Sequence, residues 1–136
     1  MGRHEQREQI FMLLFRVEFH SPEDMPEQVK LFLEDSEAGF QEKDASYIKA
    51  KEKAVRENKA EIDRIIDENA EGWDTSRMGK VELTVLRLAV YEMLFDDDIP
   101  AGVAINEAVE IAKKFGQDNS GGFVNAILGK IMKSGD

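Results

Sequence analysis

The segment VELTVLRLAVYEMLF, Val81 to Phe95, is apolar on nearly every side. A helix of that composition persists in water only when other helices surround it, so the segment predicts a helical fold with itself as hub. Arg87 and Glu92 interrupt the apolar surface. Five residues of helix separate them by about 140°, so each needs a partner on another helix or a route to the rim rather than the other.

The rest of the chain reads the same way. There are only three prolines, no alternating runs rich in Val, Ile or Thr, and glycines that fall mostly between periodic segments. The periodicity predicts a first helix over residues 3–19, with Ile10, Leu13, Leu14 and Val17 as its stripe, broken by Ser21-Pro22. A second is led by Pro26 and ends near Gly39. Asp44 caps a third through Tyr47, Ile48, Ala54 and Val55. Asn58 caps a fourth carrying Ile62, Ile65, Ile66 and Asn69, ended by Gly72. After the hub, residues 103–116 form a helix with Ile105, Ala108, Val109, Ala112 and Phe115 inward. Gly116 is then expected as its left-handed terminator. Asn119 or Ser120 caps the last helix, with Phe123, Val124, Ile127, Leu128 and Ile131 on its stripe. The fold class is therefore all-α, with about seven helices.

The 136 residues are enough for one domain with a continuous core, and there is no internal repeat or linker. Absence of cysteine excludes a disulfide scaffold, a thiolate metal site and a cysteine nucleophile. His4 and His20 lack the spacing that sets two imidazoles on one helical face, so no metal and no cofactor are expected. The run Ile10–Phe15 is too short to span a bilayer; a soluble, cytoplasmic chain with no membrane association is expected.

Formal charge is −10, unevenly spread. Residues 1–16 carry 3 Lys/Arg against 2 Asp/Glu, residues 17–100 carry 11 against 22, and residues 101–136 carry 4 against 4. The acidic middle repels polyanions and reads either as a solvated face or as a docking face for a basic partner. NSGGF lacks the Lys-Ser/Thr of a phosphate loop, and Asp96-Asp97-Asp98 lacks the spaced ligands of a calcium loop. No convergent nucleophile, base or acid emerges, so no enzyme is expected. Asn106-Glu107 reads as a helix start, with Asn106 and Asn125 in reach of hydrogen bonds to neighbouring helices. Arg3, Arg7, Phe11 and Phe15 recur every four residues along the first helix. That stripe suits phosphates and unpaired bases if it is open, and ordinary core packing if the rings turn inward.

Several segments together resemble the NusB family of bacterial transcription antitermination factors. They are RHEQREQIFMLLF with its Arg7-Glu8 step, DASY, Asn58, WDTSRMGKVE, VLRLAVYEM, IPAGVAINEAVEIAKKFG and SGGFVNAIL. They span nearly the whole chain in the family's order. The resemblance implies one domain, 1–136, of two packed helical sub-bundles, about 1–57 and 58–136. It implies binding of boxA-type single-stranded RNA together with the small-subunit ribosomal protein NusE. It also implies action on the elongating RNA polymerase, notably during ribosomal RNA transcription.

Carried over by position, Arg3, His4 and Arg7 resemble the basic RNA-contacting segment, and Phe15 stands where the family commonly has tyrosine. A phenyl ring stacks but lacks the hydroxyl donor. Asn119 stands where an acid is frequent, and its neutral amide repels phosphate less. Phe123 resembles an aromatic RNA contact, and Glu82 an acid on the face that meets the ribosomal protein. Two arginines, diluted by Glu5 and Glu8, make a thin cationic segment. Weak RNA affinity for the lone chain follows, with a basic partner supplying much of the phosphate neutralisation. Two other functions stay open on the sequence: an RNA-binding helical domain like those of ribosomal RNA methyltransferases, and a scaffold that binds protein alone. So does a homodimer through the exposed side of the first helix.

Overall fold

A computed structural model describes residues 1–35 and 39–134, and for Val17 the backbone only. Among the described residues there are seven α-helices and no strand. They are α1 (Arg3–Phe15), α2 (Met25–Leu33), α3 (Glu42–Glu57), α4 (Lys59–Asn69), α5 (Lys80–Leu94), α6 (Ala101–Phe115) and α7 (Ser120–Ser134). The chain divides into two compact units, Met1–Arg56 and Glu57–Asp136.

In the first unit α1 ends at Phe15, and the predicted continuation is a tighter 3-10 turn, Arg16–Glu18. Ile10, Phe11, Leu13 and Leu14 of α1, Met25 and Val29 of α2, and Ile48 and Val55 of α3 are buried. The second helix stops at Leu33, short of the predicted Gly39; residues 36–38 of that expectation, and the side chain of Val17, lie outside the described residues. Asp44 does not cap α3. The helix starts two residues earlier, and the Asp44 carboxylate is buried inside its first turn, where Oδ1 accepts a hydrogen bond from Gln6 Nε2 of α1 at 2.9 Å. A buried carboxylate needs such a donor, so the Gln6–Asp44 bond fixes α1 against α3.

The second unit is built around α5. Leu83 to Val90 are buried without a break, which is the hub that the all-round apolar segment requires. Helices α4, α6 and α7 pack on it. Each fully buried Leu or Ile contributes about 1.5–3 kcal/mol, so this continuous run dominates the unit's stability. Arg87 escapes the hub's apolar surface through Asp63 of α4: Nε donates to Oδ1 at 2.8 Å and Nη2 to Oδ2 at 2.9 Å. The two-pronged geometry satisfies a guanidinium that would otherwise be costly to bury.

Two terminus expectations are corrected. Helix α6 starts at Ala101 behind Pro100, so Asn106 and Glu107 lie in its second turn and not at its start. Asn106 and Asn125 are both exposed. Gly116 is extended, with φ −102°. Its need for glycine is spatial: a Cβ there would stand 2.5 Å from Ser120 Oγ and 2.7 Å from the Ala112 carbonyl oxygen. Gly72, by contrast, takes φ +77°, which L side chains rarely adopt, and turns the chain out of α4.

Candidate nucleic-acid and partner surfaces

Each unit presents its own polar and aromatic surface. In the first, Arg3 is exposed at the start of α1. Its guanidinium carbon lies 4.3 Å from the Tyr47 ring centroid, and Nη1 donates to Gln6 Oε1 at 3.1 Å. Since Gln6 is itself held by Asp44, Arg3 is anchored by a chain of contacts rather than left to sweep. His4 is exposed, with Nε2 3.0 Å from Glu8 Oε2 one turn on.

Arg7, expected on the same open stripe, is only 6% exposed. Phe11 is buried as well. Each four-residue step advances about 40° around a helix, so the stripe starts on the inward arc of Ile10 and Leu14 and drifts out of it, and Arg3 is open only because it is the first residue of the helix. Phe15 comes out at its margin, half-buried. From there the rings continue: Phe15 stands 6.0 Å from Phe11 and 5.3 Å from Phe19, which is 59% exposed. The open part is thus Arg3 and His4 at one end of α1 and Phe15 and Phe19 beyond the other, with Arg7 a buried charge between them.

In the second unit the loop before α7 is organised by Ser120. Its Oγ accepts the Gln117 backbone N–H at 2.8 Å and donates to Glu82 Oε2 at 2.8 Å. Glu82, in the first turn of α5, therefore ties the start of that helix to the start of α7. Its carboxylate also lies at the positive end of the α5 dipole. Asn119 is exposed, and its carbonyl accepts the Phe123 N–H at 3.1 Å, the first turn of α7. Phe123 is half-buried and meets Trp73 edge to face, ring centroids 5.8 Å apart at 81°.

Trp73 is the residue that spacing does not find. It sits on the loop between α4 and α5, outside any periodic stripe; its sequence signals are that it is the chain's single tryptophan and that it opens the WDTSRMGKVE segment of the family likeness. The loop is held firmly: the Trp73 N–H donates to the Ala70 carbonyl at 2.9 Å, and the Thr75 N–H to Asp67 Oδ1 at 2.7 Å. Beside the rings opens a cleft of about 230 Å³ with Lys130 and Glu71 at its edge. Lys130 Nζ donates to Glu71 Oε1 at 2.6 Å, and that hydrogen bond holds the Glu71 carboxyl below the usual carboxylate range. Among the described residues no three His, Asp or Glu side chains converge as metal ligands do. No helix among them is long and apolar enough to cross a membrane.

Seven helices among the described residues, with solvent-facing rings and a few fixed cations, define the class as a small all-helical protein. Comparison with known proteins gives the family: residues 4–133 match the NusB family model, and the chain belongs to the NusB family. The transcription antitermination protein NusB of Agathobacter rectalis is 51% identical, over 96% of this chain and 99% of its own length. That of Lachnoclostridium phytofermentans is 46% identical, over 97% and 99%. Among solved structures, T. maritima NusB superposes with a TM-score of 0.88 at 38% identity, covering 98% of this chain and 92% of its own. A crystal structure of the antitermination factors NusB and NusE in complex with dsRNA matches with a TM-score of 0.84 at 28% identity, covering 97% and 96%.

Proposed function

We propose that this chain is a non-enzymatic transcription antitermination factor of the cytoplasm. It binds boxA-type RNA together with the small-subunit ribosomal protein NusE and delivers the pair to the elongating RNA polymerase. The observation that carries the reading is the end-to-end likeness to NusB, which extends to a NusB held with NusE and RNA. The mechanism is positioning, with no covalent step: one RNA segment and one basic protein are held by a single chain.

Arg3 and His4 are the RNA-contacting cationic end of α1, and Phe15 is a ring for an unpaired base. Asn119 and Phe123 do the same work at the start of α7. Arg7 contributes by holding α1 in place. Glu82 belongs to the docking face for NusE, where its bond to Ser120 links partner contact to the loop that carries Asn119. The negative body favours a basic protein and disfavours bare RNA, so NusE binding precedes or accompanies tight RNA binding.

The test is co-assembly by size-exclusion chromatography of the purified chain with NusE, followed by a boxA-like single-stranded RNA. A stable binary peak that shifts again with RNA is expected. A chain that binds NusE and never retains RNA would be a protein-only scaffold.

A further inference from the structure

We infer that Trp73 is an RNA-stacking residue: its exposed indole, braced edge to face by Phe123, stacks on one unpaired base, with the neighbouring phosphates drawn to Lys130 and Arg77. This rests on the RNA-binding function proposed above and adds a residue and a contact mode to it.

Three observations carry the assignment. Trp73 is 50% exposed on a loop that its own backbone bonds and Asp67 keep rigid. A large ring held open without conformational freedom is prepared for a flat partner, because little entropy is left to lose on contact. Phe123 meets it at 81°, and an edge-to-face neighbour braces an indole in a fixed orientation. Cations flank the rings: the Arg77 guanidinium carbon lies 6.0 Å from the indole centroid, and Lys130 lines the cleft.

Glu71 sharpens the chemistry. It is 87% exposed, pairs with Lys130 and occupies the charge that a phosphate would use. An incoming phosphate must exchange with this carboxylate, so Glu71 lowers RNA affinity. For a basic polypeptide in the same cleft the sign reverses, since the acid would then attract the ligand. The direction of a Glu71→Gln effect therefore separates the two kinds of occupant.

Because the chain has one tryptophan, its emission reports this site alone. The experiment titrates a short boxA-like single-stranded RNA into the full chain with NusE present, reading tryptophan emission and affinity together. Expected are saturable quenching on RNA addition, affinity roughly tenfold weaker in Trp73→Ala, substantial rescue in Trp73→Phe, and tighter RNA binding in Glu71→Gln. Far-UV circular dichroism confirms that each variant remains helical. RNA binding at full strength with unchanged emission, and with Trp73→Ala equal to the parent, would overturn the stacking role and leave the function standing. An emission change on adding NusE alone, with none on adding RNA and with weaker NusE binding in Glu71→Gln, would overturn it in favour of a protein occupant. Absence of any RNA binding by the parent chain with NusE would overturn the proposed function itself.

Discussion

Helix α1 and the start of α7 both carry aromatic and polar residues that a sequence reader assigns to RNA, yet they use them differently. Along α1 the four-residue spacing sends Arg7 and Phe11 into the interior and leaves Arg3 and Phe15 at its ends. At α7 the first turn is set by Ser120 and Glu82, and Phe123 is braced by Trp73 from a loop far away in sequence. Regular spacing says which residues share a stripe, while only the packing of neighbouring helices decides whether the stripe is open. In α1 the burial of Ile10 and Leu14 decides it. At α7 a tertiary contact does.

The largest expected effect is at Arg7. Arg7→Glu places an acid at a buried position whose surroundings accommodate a cation, and should cost roughly 3–5 kcal/mol. Urea unfolding should show the loss, with RNA and NusE binding falling together. Selective loss of RNA binding from a chain of parental stability would mean that Arg7 is an open contact after all.

Ser120→Ala is next. It removes one acceptor from the Gln117 N–H and one donor from Glu82, for roughly 1–2 kcal/mol of destabilisation. Since the hydroxyl joins α5 to the α7 loop, NusE affinity should fall with it, whereas a change confined to stability would detach Glu82 from the docking face.

Arg3→Ala should barely move the unfolding midpoint, by less than about 0.5 kcal/mol. It should nonetheless weaken RNA binding and lower the slope of log affinity against log salt by about one. Arg3 and Arg7 thus predict opposite patterns, binding without stability and stability without selective binding.

The smallest effect belongs to the exposed Lys130–Glu71 pair. Glu71 titrates below its ordinary range, so whatever the pair adds is present above that range and disappears as pH falls through the lowered value. Full exposure leaves little to lose. Glu71→Gln and parent should melt within experimental scatter at neutral pH, and any small residual difference should vanish only once pH falls below the lowered Glu71 value.

Much of the architecture was legible because it follows from local periodicity. The hub helix, the apolar faces of α4 and α7, and the need of Arg87 for a partner on another helix all come from spacing and the cost of burying charge. What was not legible depends on contacts between distant segments. Asp44 looks like a cap and is a buried acceptor for Gln6. Gly116 looks like a left-handed terminator and is a close-approach glycine. Asn106-Glu107 looks like a helix start, but Pro100 begins the helix earlier. For the surfaces, residue type pointed at Arg3, His4, Phe15, Asn119 and Phe123 through the family likeness, while the brace from Trp73 has no periodic signature.

The central claim is that RNA is held jointly by this acidic chain and a basic protein. A gel-shift titration of boxA-like RNA across increasing salt, for the chain alone and with NusE, tests it most directly. Expected are weak binding by the lone chain, much tighter binding by the pair, and a steeper salt dependence for the pair because the partner supplies additional phosphate contacts. Equal affinity and equal salt slope with and without NusE would contradict it.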